Sequence, residues 1–233
     1  MPDRFARLPW PDIPYDALVL VPLGSTEQHG PHLPLSTDTV IARAVAEGAA
    51  GLLTGTALVA PAIPYGASGE HADFPGAVSL GHEALRAVLV ETVRSLAVWA
   101  GRIALVNGHG GNNETLDTVV GALRGEGHDA GWTGCFVPGG DAHAGVTETS
   151  LLLHLAPEQV LMRRAVPGDR RPLSAIMPAL RAGGVRAVSP TGVLGDPTGA
   201  SADQGRRLMR ELVSDVAGRI AAWQVDDRGR MVR

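Results

Sequence analysis

Residues 17–38 read "ALVLVPLGSTEQHGPHLPLSTD", an apolar run that stops at Gly24 and gives way to a loop dense in side chains able to bind metal. The run "ALVLVPLG" (17–24) is short, shows no polar alternation and ends in glycine, as expected of a strand buried on both faces of a parallel sheet. The loop after it carries Glu27, His29, His32 and Asp38, while Gly30, Pro31 and Pro34 keep an ordinary helix from running through it.

The same pattern recurs along the chain. "ALVAPAI" (57–63), "RIALVNG" (102–108) and "GWTGCFV" (131–137) are further short apolar runs, separated by helical patterns over 39–53, 82–100, 114–126 and 147–155. Asp38 and Asn113 are placed to cap two of those helices. Strand alternating with helix predicts an α/β three-layer sandwich, a mostly parallel central sheet flanked by helices. After residue 160 the pattern weakens, and "SPTGVLGDPTGASADQG" (189–205) leads into a last helix from about Ser201 to Trp223. The opening "MPDRFARLPWPDIPYD" (1–16) is proline-rich and aperiodic, an arm expected to lie on the surface or on a neighbouring subunit. With no internal repeat or interdomain linker, residues 1–233 read as a single domain with that arm.

Bulk composition narrows the chemistry. The 233 residues carry a formal net charge of -4 and are 45% hydrophobic, without the positive field that nucleic-acid binding needs. All 20 basic residues are arginine, which removes Schiff-base and P-loop lysine chemistry. The single cysteine, Cys135, has no partner for an internal disulfide, and neither a signal-like leader nor an apolar run near 18 residues is visible. The expectation is a cytoplasmic protein with no membrane partner.

In open parallel sheets, ligands bind beyond the carboxyl ends of the strands. "GSTEQHGPHLPLSTD" (24–38), "PYGASGEHADFPG" (64–76), "NGHGGNNE" (107–114) and "GGDAHAGVTE" (139–148) each follow one of the four strands, and His29, His32, His71, His109 and His143 all fall within them. In an extended segment residues two apart face the same side, so Glu27 and His29 can meet one cavity. Glu27, His29 and Asp38 form an oxygen–nitrogen set that suits Zn²⁺, Fe²⁺ or Mn²⁺, with a simple helix cap as the lesser reading of Asp38. His109, among Gly108, Gly110 and Gly111, points to metal more than to phosphate, because the loop lacks Gly-x-Gly-x-x-Gly spacing. Asp141, His143 and Glu148 can each be a ligand, a proton shuttle or a group that orients one. His82, His128 and His154 read as solvated or core histidines, Cys135 as a small buried hydrophobe and Asp196 as an Asx-turn. Ser25, Thr26 and Ser68 lack a Gly-x-Ser-x-Gly elbow.

Together "PLGSTEQHGPHLPLSTD", "PYGASGEHADFPGAVSLG", "NGHGGNNET" and "DAHAGVTETS" resemble, in order and spacing, the creatininase family of binuclear-metal amidohydrolases, over about residues 18–205. The wording "SPTGVLGDPTGAS" and the short length look most like the family's mycofactocin-system branch. The resemblance implies a creatininase-like fold and two divalent metal ions per chain, with Glu27 and His109 on one, His29 on the other and Asp38 shared. It matches His143 to the family's catalytic histidine, the proton donor to the leaving amine. Where creatininase has a further carboxylate ligand two residues after the histidine matching His109, this chain has Gly111, and Glu148 is the candidate replacement. Glu70 and His71 are expected to line the pocket or orient substrate, and His32, five residues from Glu27, to stay off the metals. The implied reaction is metal-assisted hydrolysis of an amide, in this branch the release of a modified C-terminal Val-Tyr pair from a precursor peptide, by a homo-oligomer. The alternatives are a small cyclic or formyl amide substrate, or a non-catalytic metal- or nucleotide-binding module.

Overall fold

The computed structural model describes residues 4–232, so the first three residues of the expected arm lie outside it. In chain order come α1 (Arg4–Arg7), β1 (Leu18–Leu23), α2 (Thr37–Leu52), β2 (Ala57–Val59), α3 (Gly81–Leu96), β3 (Arg102–Asn107), α4 (Asn113–Gly125), β4 (Ala130–Gly134), α5 (Val146–Leu155), α6 (Leu173–Val188), α7 (Ala202–Ala222), β5 (Gln224–Val225) and β6 (Met231–Val232). The first four strands make one parallel sheet in the order β2-β1-β3-β4, and β5 and β6 form a small antiparallel pair.

The lack of alternation in "ALVLVPLG" has its cause in this topology. Side chains alternate across a strand. Val19 and Val21 therefore join one apolar cluster with Leu85, Leu89 and Val93 of α3 and Leu116, Val120 and Leu123 of α4. Leu20 joins the other, with Ile41 and Val45 of α2, Leu151 and Leu152 of α5, and Leu212, Val216 and Ile220 of α7. Helices thus cover both faces, and each fully buried aliphatic side chain contributes about 1.5–3 kcal/mol. Because β1, β2, β3 and β4 run in parallel, their carboxyl ends share one edge of the sheet.

Several local expectations need correction. β2 ends at Val59 rather than at residue 63: Pro61 has no N–H to donate, so pairing resumes only as a bridge between Leu23 and Ile63. β4 covers 130–134, leaving Cys135 just beyond it, buried, with its backbone N–H still donating to Asn107 O. Neither Asp38 nor Asn113 is a cap. Ser36 and Asn112 hold the cap positions of α2 and α4, the Asp38 carboxylate turns toward the histidines, and Asn113 Oδ1 accepts from Asn107 Nδ2. Helix α6 falls where the pattern looked weak, because Pro178 lies inside it and Gly184, with φ 67°, kinks it. A Cβ at Gly184 would stand 2.8 Å from Glu70 O, so this close approach needs glycine.

The described part of the arm lies on the molecule. Phe5 stacks on Trp99 with ring centroids 5.6 Å apart, and Leu8 and Ile13 pack on the core, but Trp10 and Tyr15 remain 85% and 81% exposed. A surface cavity of about 730 Å³ opens between this arm and the start of β2, at the edge opposite the histidines. Among the described residues no helix is long and apolar enough to cross a membrane.

Candidate metal centre

The four loops converge. Past Leu23 the chain runs through Gly24 and turns back at Gly30, whose φ of 65° suits glycine. Between these points Glu27 and His29 come to stand near Asp38, brought in by the first turn of α2. Asp38 Oδ1 lies 2.9 Å from His29 Nε2, while Oδ2 lies 3.3 Å from His109 Nδ1 and accepts from Ser25 Oγ at 2.7 Å. Glu27 Oε2 is 3.3 Å from the same His109 Nδ1, and Glu148 Oε2 is 3.9 Å from His29 Nε2. Two donor sets result, each with ligand atoms within 4.8 Å of one another: Glu27, Asp38 and His109 in one, His29, His143 and Glu148 in the other. A third combination, Glu27 with His71 and His143, overlaps both.

Backbone carbonyls, which only accept, fix the ring tautomers. His29 Nδ1 faces Glu27 O at 3.2 Å, His109 Nε2 faces Ala67 O at 3.0 Å, and His143 Nε2 faces Gln28 O at 2.7 Å. Each of those nitrogens carries a proton, and the opposite nitrogen of each ring faces inward, the one a metal-binding imidazole would offer to an ion.

The electrostatics describe a site built for cations. Burial alone would strip the charge from His29 and His109, yet Asp38, with Glu148 and Glu27 for the first and Glu27 and Glu70 for the second, outweighs it and raises both to about 10. Burial pushes Glu27 and Glu148 up to about 7 against the pull of the same imidazoles, while Asp38, buried beside His29 and His109, is held well below the usual carboxylate range. Protons thus occupy the positions between imidazole and carboxylate that a divalent ion would take. Both Glu27 oxygens are buried without a hydrogen bond of sound geometry, although His71 Nε2 approaches Oε1 to 3.1 Å. A buried carboxylate left in that state costs several kcal/mol unless a cation meets it, so the donor set fits divalent metal.

The other expected residues fall around this centre. His143 sits between His29 and His71, with centroids 4.3 and 4.7 Å away and the rings tilted by 39° and 50°, and burial holds both His143 and His71 neutral, His71 down to about 3. Glu70 lies behind His109, 3.6 Å from its Nε2. Gly111 has no room for a side chain directed at the metals: a Cβ there would sit 2.4 Å from Ala67 O and 2.4 Å from His109 Nε2. Glu148 reaches the centre from α5, with Ala144 N–H donating to its Oε2 at 2.6 Å. His32 is turned away, with its Nε2 2.9 Å from Thr149 Oγ1. Asp141 accepts from Thr147 N and belongs to the loop's own framework. Asp196 accepts from Thr198 N in its turn, and His82 meets Thr115 Oγ1.

Two participants escaped sequence reasoning. Gln28 lies between Glu27 and His29, and its side chain reaches His71, His143 and the carbonyl of Gly192. The segment around Gly192 closes over the site, with His143 and Leu194 exchanging backbone hydrogen bonds. The available signal was only its place between two ligand-type residues, Glu27 and His29.

Comparison with known proteins finds similarity over most of the chain. The family model described as creatinine amidohydrolase matches residues 6–220. The mycofactocin precursor peptide peptidase of Mycobacterium ulcerans is 56% identical over 221 residues, covering 92% of this chain and 86% of that protein. Among solved structures, a Zn-Zn type creatininase variant superposes with a TM-score of 0.71 at 26% identity, over 94% of this chain and 96% of that one. A manganese creatininase gives 0.70 at 26%, over 94% and 97%.

Proposed function

The chain belongs to the creatininase family, and we propose that it is a metal-dependent peptidase that releases the modified C-terminal Val-Tyr pair of a mycofactocin precursor peptide. The relative at 56% identity supports the substrate. The observation that carries the chemistry is Asp38 standing between His29 and His109, each carboxylate oxygen facing one imidazole. On this reading Glu27, His109 and Asp38 would hold one divalent ion, and His29, Glu148 and Asp38 the other. Zn²⁺, Fe²⁺ and Mn²⁺ all accept such a ligand mixture. Bound there, two cations would supply a nucleophilic water at neutral pH and polarise the scissile carbonyl.

The chain's own part is proton handling and positioning. His143 is neutral and turns the Nδ1 lone pair into the site, so it can take a proton from the attacking water and return it to the departing amine. Its Nε2–H stays on Gln28 O throughout, which keeps the ring from rotating. Glu70 backs His109 and steadies its orientation, and His71 lines the pocket beside Glu27. We further read residues 1–233 as one domain, because both apolar clusters share one sheet. We also read the chain as cytoplasmic, a reading supported by its single cysteine, which has no partner for an internal disulfide. The exposed Trp10 and Tyr15 on the arm support a homo-oligomer.

The test strips the purified protein with chelator, restores one metal at a time and presents modified precursor peptide and creatinine in parallel. Cleavage of the peptide only after metal return is the expected result. Activity that survives complete metal removal, or turnover of creatinine in place of the peptide, overturns the reading.

A further inference from the structure

We infer that Gln28 is a positioning residue that fixes the hydrogen-bonding state of His71 and His143 and leaves His143 as the one free imidazole base of the site. The inference rests on the catalytic reading above, but its geometry stands independently. Gln28 Oε1 lies 2.8 Å from Gly30 N, which can only donate, so the other end of the amide is the NH₂ group. That NH₂ has two protons and three neighbours: His71 Nδ1 at 2.9 Å, Gly192 O at 3.1 Å and His143 Nε2 at 3.1 Å. His143 Nε2 already donates to the Gln28 carbonyl at 2.7 Å and has no lone pair left to accept with. The two amide protons therefore go to Gly192 O and to His71 Nδ1.

The consequence for His71 is definite. A nitrogen that accepts from an amide is unprotonated, so His71 is the neutral tautomer with its proton on Nε2, 3.1 Å from Glu27 Oε1. Its lone pair is spent on Gln28, which removes it as a base and leaves it an N–H dipole beside a buried carboxylate. His143, held by the Gln28 main chain, keeps its lone pair on Nδ1, 3.8 Å from Glu27 Oε1. One residue thus assigns opposite duties to two adjacent rings, through its side chain for one and its carbonyl for the other. Gly192 completes the device. A Cβ at this position, whose φ is 81°, would stand 1.8 Å from Gln28 Oε1, so only glycine lets the covering segment close onto the amide.

Gln28→Glu keeps the shape and the acceptor for Gly30 N but replaces the donor with a carboxylate. In zinc-loaded protein labelled with ¹⁵N-histidine, His71 should move from the Nε2–H to the Nδ1–H state, its signals identified by their loss in His71→Asn. The kcat on the peptide should fall by about 10- to 100-fold, with KM little changed and zinc content intact. Gln28→Met, apolar and of similar length, should free His71 from a single tautomer and lower kcat in the same range, and serves if the glutamate variant does not fold. Unchanged His71 signals in the folded variant, or wild-type kcat, overturn the inference. If the wild-type protein does not cleave the peptide at all, the functional reading fails while the tautomer measurement still decides the role of Gln28.

Discussion

His29 Nε2 stands 2.9 Å from Asp38 Oδ1 with both side chains buried, while the second Asp38 oxygen faces His109. Asp38 thereby couples two donor sets that come from three separate loops. Asp38→Asn keeps the shape and removes the charge. Metal content by elemental analysis should drop from about two ions per chain to less than one, with turnover lost. Retention of both ions would refute the bridging role.

His143 touches both donor sets yet is neutral and is tethered by its far nitrogen. His143→Ala should keep the metals and lower kcat by about 10²- to 10⁴-fold, the usual worth of a proton-transfer group, with KM nearly unchanged. If His143 is instead a necessary ligand, the same variant will lose metal in parallel with activity, which elemental analysis separates from loss of proton transfer.

Gly111 and Glu148 are two positions from which a further carboxylate could be sought for the centre, and the structure separates them. A Cβ on Gly111 would press on the Ala67 carbonyl, the His109 ring and Glu70 Oε1. Gly111→Ala should therefore destabilise the protein by about 1–3 kcal/mol in denaturant unfolding. Glu148→Gln should leave unfolding nearly unchanged and weaken metal retention during dialysis against chelator. A Glu148→Gln protein that binds two metals as tightly as the wild type would take Glu148 out of the ligand set.

The sheet and the convergence of its loops were legible because both depend on local pattern: uninterrupted apolar runs such as Leu18–Leu23 for doubly covered strands, and parallel order for the shared edge. What stayed hidden depends on distant pairs. Gln28 is not a ligand type, and its meaning comes from Gly192, which no spacing rule connects to it. Helix α6 was hidden because Pro178 and Gly184 break the very periodicity by which helices are recognised, and the glycine is there to let Glu70 O approach. Asp38 carried two readings, shared ligand and plain helix cap, because it begins a helix. Only the positions of His29 and His109 show why its carboxylate turns away from the backbone.

The protons held between imidazole and carboxylate give the metal-free protein an unusual pH profile. His29 and His109 have folded values of about 10 against 6.5, so the stability they contribute is complete below pH 6.5 and is lost as pH rises through 10. Glu27 and Glu148, raised from 4.5 to about 7, are favoured in their protonated form, and their contribution also falls as pH rises, between 4.5 and 7. His71 and His143, lowered by burial, oppose folding only below pH 6.5 and are level above it. Between pH 6.5 and 9 the metal-free protein should therefore lose thermal stability steadily. Zinc saturation should flatten that slope, because bound cations replace the protons and keep the ligands deprotonated at every pH in the window. Melting curves of stripped and zinc-loaded protein, recorded in parallel across the window, measure both effects. A metal-free protein whose Tm holds steady or climbs from pH 6.5 to 9 would show that these four groups do not share protons as their geometry requires.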